Sequence, residues 1–229
     1  MQKFLDWLER VLTPLAKVIG ENKYLVAIRD GFLLSTPLLI VGSVFLLIAN
    51  FPLPQWDTWM SHLLGKDWAT MMYVPASASF DVMTILAVVG IAYSLGKQFN
   101  VDAMQAGIIA FVSFFIVTPY QTLFTPENSS KVYEVTSLPL KWMGSSGLFL
   151  GMIVALIATR LFVAIVRKGW TIKMPEGVPP TVVKSFEALI PSFLVVTLMF
   201  LVNWLAALTP YGNLQDVIFE FLQTPLLSL

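Results

Sequence analysis

The chain has 229 residues, of which 57% are hydrophobic and 12% charged, against about 25% charged in an ordinary soluble domain. So much apolar surface cannot be hidden in one aqueous core, and the solvent it implies is a lipid bilayer. Fourteen Lys+Arg balance fourteen Asp+Glu, which excludes the basic surplus of a nucleic-acid binder. The absence of cysteine excludes disulfides, thiolate nucleophiles and Cys-ligated metal centres, and a single histidine, His62, leaves no histidine metal cluster.

A membrane helix needs about 20 mostly apolar residues to cross roughly 30 Å of hydrocarbon, and uncharged stretches of that kind define the expected elements. Residues 1–30 form an amphipathic arm. Phe4, Leu8, Val11, Leu15 and Val18 recur at helical spacing with Lys3, Asp6, Arg10 and Lys17 between them, the pattern of a helix lying in the interface and interrupted near Pro14; a soluble amphipathic arm is the other reading. It is not a signal peptide, because Asp6 and Glu9 occupy the place of a signal's cationic start.

Residues 31–210 form the membrane domain, with spans expected at 31–51, 74–96, 103–124, 142–159 and 188–209. The second is the weakest: Asp81 and Lys97 bracket only 15 uncharged residues, about 22 Å of helix, so that helix must begin before Asp81. In the third, Pro119 ends or kinks the helix. Residues 160–187 form a loop, and 211–229, containing NLQDVIFEFLQTPLLSL, a further amphipathic stretch. The expected fold class is therefore all-α: a polytopic membrane protein with five transmembrane helices, an N-terminal interfacial helix and a C-terminal amphipathic stretch.

Five spans place Lys3, Arg10, Lys17, Lys23, Arg29, Lys97, Arg160, Arg167, Lys168, Lys173 and Lys184 on one side and Lys66, Lys131 and Lys141 on the other. By the positive-inside rule the amino terminus and the 160–187 loop are cytoplasmic and the carboxyl terminus external.

Some residues carry more specific expectations. Gly144, Gly147, Gly151, Ala155 and Ala158 lie at alternating spacings of three and four, giving one nearly flat helix face that suits either a dimer interface or packing within the chain. Asp81 is the acidic residue that the length argument pushes into a span; it lines a substrate or ion path or lies near the interface, capped by Ser77 or Ser79 and reached by water. Asn203 binds a sugar hydroxyl or bonds a neighbouring helix. His62, among Trp56, Trp59 and Trp68, belongs to an interfacial aromatic belt rather than a catalytic or metal site. The 160–187 loop, with Arg167, Lys168, Lys173, Glu176 and Lys184 around PEGVPP, is long enough to be a docking surface for a cytoplasmic partner, or it holds its cations against anionic lipid head groups. No nucleotide-binding loop, serine-hydrolase elbow or HExxH is present, so transport would draw on a gradient, on diffusion, or on energy delivered by another protein.

Two stretches, VDAMQAGIIAFVSFFIVTPY (101–120) and IVRKGWTIKMPEGVPPTVVKSFEALIPSF (165–193), resemble the membrane component, enzyme IIC, of the bacterial phosphoenolpyruvate-dependent sugar phosphotransferase system, lactose/cellobiose/chitobiose branch. KVIGENKYLVAIRDGFLLSTPLLIVGSVFLLIANFP, near the start, is similar to that family's amino terminus. The resemblance implies group translocation across the bacterial plasma membrane: a disaccharide crosses and is phosphorylated by a separate cytoplasmic IIB protein, itself served by IIA, with no cofactor in the membrane component. It also implies a homodimer. The resemblance covers the amino-terminal half of such a protein, so the chain is expected to be truncated before the re-entrant hairpins and the histidine and glutamate of the sugar site. No family catalytic residue transfers, and His62 does not match the family histidine in context. The alternatives are a non-catalytic dimerising membrane scaffold and a small secondary transporter using Asp81.

Overall fold

The computed structural model describes Thr13, residues 20–126 and residues 131–224. Most of the expected N-terminal arm, and the last five residues of the C-terminal stretch, lie outside the described residues. The first helix, α1 (Lys23–Ala49), starts eight residues before the expected span because Asn22 caps it, its side chain accepting from the backbone N–H of Tyr24 and Leu25 at 3.0 and 3.2 Å. Arg29 and Asp30 enter the helix as an ion pair of 2.8 Å, so the charges that delimited the span in the sequence do not end the helix.

A short helix α2 (Trp56–Leu64) follows. The second expected span, 74–96, is two helices, α3 (Trp68–Phe80) and α4 (Met83–Gln98). Pro75 removes one N–H from α3, and the Ser79 hydroxyl adds a bond to the Pro75 carbonyl at 2.9 Å, two local features that bend and weaken a helix. Two residues later the helix breaks at Asp81–Val82.

The third expected span, 103–124, is shorter than expected. Asp102 caps α5 (Ala103–Ile116), accepting from the Gln105 N–H at 3.0 Å. The helix ends before Pro119, whose ring cannot continue it, and the chain turns into an antiparallel hairpin of β1 (Gln121–Phe124) and β2 (Tyr133–Thr136), with Gln121 opposite Thr136. The described residues are mostly helical, as expected, with this two-stranded element added; Thr122, Val135 and Thr136 supply the β-branched residues that favour strands.

A single turn α6 (Leu140–Met143) and a 3₁₀ turn (Ser145–Gly147) lead into α7 (Leu148–Arg167). The fourth span thus begins later than 142 and runs past Thr159, so Arg160 and Arg167 are helical rather than part of a loop. Gly169, at φ 73°, ends it: the Trp170 N–H reaches back to the Ile165 carbonyl, and only glycine takes that left-handed conformation without cost. After α8 (Pro180–Glu187), α9 (Leu189–Ala207) matches the fifth expected span to within two residues. The C-terminal stretch forms α10 (Leu214–Ile218), continued by a π turn to Gln223. Leu214 and Ile218 pack against the core, and the buried Gln215 donates to Thr118 Oγ1 at 3.2 Å.

Among the described residues four helical stretches are long and apolar enough to cross a membrane: Lys23–Ala49, Trp68–Gln98, Ser145–Arg167 and Pro180–Ala207. The fifth, α5, has 14 residues and covers about 21 Å. The core is centred on α4, wrapped by α1, α5 and α7, with Val88, Ile91, Ala92 and Leu95 fully buried among Ala106, Phe114, Val154 and Ala155. The outer faces stay apolar: on α1, Leu33, Leu34, Leu38 and Val41 are all more than half exposed, as expected where lipid replaces water.

Candidate functional site

The helix break at Asp81 organises one end of the bundle. Measured along α4, Asp81 lies about 25 Å from Gln98, so most of a hydrocarbon layer separates the two. Asp81 is half-buried and caps α3, its N–H donating to the Ser77 carbonyl at 2.9 Å. With Phe80, Met83, Leu140, Lys141, Gly144, Ser145 and Ser146 it lines an open cavity of about 470 Å³, whose lining residues bring a carboxylate, two serine hydroxyls and the Lys141 ammonium, itself 4.3 Å from the Trp142 ring centroid. Below it, the buried Thr84 hydroxyl donates to the Gly144 carbonyl at 2.5 Å, locking the start of α4 to the turn before α7.

The small-residue face is spent on this same contact. Gly144 lies against the backbone of Phe80 and Asp81, a Cβ at Gly151 would meet Thr84 Cγ2 at 2.7 Å and Val88 Cγ2 at 2.9 Å, and at Gly147 one would run into the Trp142 carbonyl. Ala155 and Ala158 are fully buried. The expected face is thus not one helix face: Gly144 and Gly147 lie in the turns before α7 and meet the end of α3 and Trp142, while Gly151, on α7, meets α4. A closer helix approach went unread in the sequence: at Gly90 a Cβ would sit 2.6 Å from the Gly31 carbonyl oxygen, so α1 and α4 touch backbone to backbone. The signal was Gly90 among AVVGIAYSLG, a glycine inside an apolar helical run.

At the opposite end, three cations surround Phe99, the residue that caps α4. Lys23 Nζ lies 4.8 Å from its ring centroid, Arg160 5.1 Å and Arg167 5.3 Å. Lys23 donates to the Gln98 carbonyl at 3.3 Å and Arg167 to the Phe99 carbonyl at 3.2 Å, satisfying carbonyls that a helix C-terminus leaves open and complementing its dipole. Beside them Lys184, on α8, pairs with Asp102 at 3.0 Å. Burial pushes the Asp102 carboxyl up, but the Gln105 N–H and Lys184 outweigh it and hold the group below its ordinary value of 3.8. The pair closes one wall of a 140 Å³ cavity lined also by Phe162, Thr171 and Glu187. The remaining residues of the expected docking surface, Lys168, Lys173 and Glu176, are exposed at this end, with the Lys168 ammonium 5.3 Å from the centroid of the Trp170 ring.

Asn203 lies on α9, half-buried, with its Oδ1 enclosed and lacking a hydrogen-bond partner among the described residues. His62 is exposed on α2. Near it, Trp68 donates to Asp57 at 3.0 Å and stacks edge-on with Trp56 at 6.4 Å, so two of the belt's three tryptophans fasten α2 to α3 and Trp59 stays exposed.

Residues 29–228 match the family described as phosphotransferase system, EIIC. The chain is 39% identical to the cellobiose-specific EIIC component of the phosphotransferase system from Geobacillus stearothermophilus, over 99% of this chain and 50% of that protein. It is 40% identical to the lichenan permease IIC component of Bacillus subtilis (strain 168), again over 99% and 50%. Among solved structures, that of the transporter ChbC, the IIC component of the N,N'-diacetylchitobiose-specific phosphotransferase system, superposes with a TM-score of 0.90 at 41% identity, over 96% of this chain and 51% of that one. The chain spans about half the length of these relatives, and it belongs to the EIIC family of phosphotransferase-system membrane components.

Proposed function

We propose that this chain is the amino-terminal, helix-packing half of a IIC component that takes up β-linked disaccharides of the cellobiose, chitobiose or lactose type. The observation that carries this is the superposition on the chitobiose transporter over 96% of the chain at 41% identity. The function is group translocation, with the sugar held mainly in the half of the relatives that this chain does not cover, and with phosphate delivered by a IIB protein supplied in turn by IIA. Five crossings, α5 being the short one, put the Phe99 end in the cytoplasm and the hairpin and the C-terminal stretch outside. That orientation follows from the unequal sharing of Lys and Arg between the two ends.

On this reading the exposed cations Lys168, Lys173 and Lys184, with Glu176, form part of the IIB docking surface. The cavity at Asp81 faces the external side, where its carboxylate and serines suit sugar hydroxyls; Asn203 is a weaker candidate for the same role. A homodimer would use the exposed apolar face of α1, because Gly144, Gly147 and Gly151 already lie against Phe80 and Asp81, Trp142, and Thr84 and Val88 of the same chain, and Ala155 is fully buried.

The test is uptake of radiolabelled cellobiose and chitobiose in cells that lack their own IIC proteins but contain IIB and IIA. Expressed with the complementary half of a relative, this chain should restore accumulation of phosphorylated sugar, and expressed alone it should not. Robust uptake by the chain alone would refute the division of labour, and no uptake with any complementary half would refute the function.

A further inference from the structure

No carboxylate among the described residues pairs with any of the three cations around Phe99. Among the described residues the ion pairs are Arg29–Asp30 and Lys184–Asp102, and neither involves Lys23, Arg160 or Arg167. All three side chains are exposed, while the ring they share is half-buried. Helix capping accounts for one donor each of Lys23 and Arg167 and leaves the rest of both groups, and the Arg160 guanidinium, without a carboxylate partner among the described residues. Three like charges gathered on one ring repel one another unless an anion joins them.

The position of Arg160 decides what that anion is. Lys23 is the first residue of α1 and Arg167 the last of α7, so both lie where membrane-crossing helices end. Arg160 lies seven residues inside α7, about 10 Å nearer the hydrocarbon, and reaches back along its own helix to the Phe99 ring, as long cationic side chains do at a membrane boundary. A soluble phosphoprotein or free anion approaches from the water; the phosphate of a lipid already sits at this depth. We propose that Lys23, Arg160 and Arg167 form a binding site for the phosphate head group of an anionic phospholipid, built around Phe99, which would tie together the ends of α1, α4 and α7. This site is separate from sugar handling and from IIB docking, and its test does not depend on either.

Near an anionic surface each basic side chain favours binding about fivefold, so three together give a preference on the order of 100-fold over a zwitterionic lipid, and removing two of them should reduce it by at least about tenfold. The purified chain in detergent is titrated with phosphatidylglycerol, with phosphatidylcholine and with inorganic phosphate, and bound lipid is counted by native mass spectrometry while the unfolding midpoint is followed by tryptophan fluorescence. Phosphatidylglycerol alone should be retained and raise the midpoint. The Arg160→Gln/Arg167→Gln double variant should lose that increment whatever its baseline stability, Lys23→Gln should weaken it if the double variant does not fold, and Lys66→Gln at the other end should keep it. Equal retention of the two lipids, an increment that survives in the variants, or one reproduced by inorganic phosphate would overturn the proposal.

Discussion

The contact between α1 and α4 gives the most direct test of the packing. In Gly90→Ala the new Cβ would stand 2.6 Å from the Gly31 carbonyl oxygen and 3.1 Å from the Gly31 Cα and carbonyl carbon, where ordinary contact begins near 3.4 Å. The shortfall to the oxygen is about 0.8 Å, and both partners are helix backbone, so no rotamer change relieves it; α1 and α4 must move apart along the surface where Ala27 and Ile91 are fully buried. Overpacking of this kind costs about 1–3 kcal/mol, against about 1 kcal/mol that alanine gains over glycine in a helix interior, which leaves a net loss of up to about 2 kcal/mol and a deficit of about 1–3 kcal/mol relative to an alanine that gains the propensity without the clash. Gly107→Ala is the control, since its Cβ would meet Val89 Cγ1 at 3.4 Å, an ordinary contact with a side chain, and helix propensity should leave it neutral or slightly stabilised. Denaturant unfolding of the purified variants in detergent, followed by tryptophan fluorescence, measures both. If Gly90→Ala proves as stable as Gly107→Ala, α1 and α4 do not meet backbone to backbone and the reasoning fails.

Thr84→Val removes a buried donor and leaves the Gly144 carbonyl without it, at a cost of about 1–3 kcal/mol, whereas Thr84→Ser should keep most of the bond; the same unfolding assay separates them, and equal behaviour would deny the bond a role. Asp102 is held below its ordinary value, so its contribution is full above the unfolded carboxyl value near 3.8 and is lost as pH falls through the lower folded value. With the Lys184 side chain 61% exposed this amounts to well under 1 kcal/mol, and the Asp102→Asn variant should show a flatter stability profile in the acid range together with a weaker dependence on salt. For the topology, single cysteines at Lys173 and Lys131 are treated with an impermeant thiol reagent in intact cells: position 131 should label and 173 should not, and the reverse pattern would invert the assigned orientation.

Charge was the sequence's punctuation for the spans, and it worked where charged residues sit outside helices and failed where they sit inside them. Leu189–Ala207 was legible because no charge lies within it and Glu187 stands just before it. Lys23–Ala49 was cut short at Arg29 and Asp30 because their mutual pairing, which lets them stay helical, depends on geometry that composition does not reveal. Arg160 marks the end of the fourth span in the sequence, yet the helix continues through it to Arg167 because its guanidinium lies over the Phe99 ring, a contact that composition does not reveal either. The break at Asp81 was half legible: the length argument required helix before Asp81, and Pro75 with Ser77 and Ser79 marked irregular backbone, but whether those residues kink or interrupt a helix depends on what packs beside them. Here the neighbours are Gly144 and the turn before α7.

The flat face of the fourth span shows why a motif alone does not choose its partner. GxxxG and its extensions state that something approaches closely, and two helices of one chain satisfy that as well as two copies do. The choice rests on the other side of the contact, and that side was also present in the sequence: Gly90 and Thr84 lie on the α4 segment that covers this face or the adjoining one, so α4 is pressed by α1 at Gly31 and by α7 at Gly151. A helix held on two sides by glycines can neither shift nor rotate without a clash, which makes α4 the fixed axis of the bundle. Its two ends are then the natural places for function, and they carry the polar cavity at Asp81 and the three cations at Phe99.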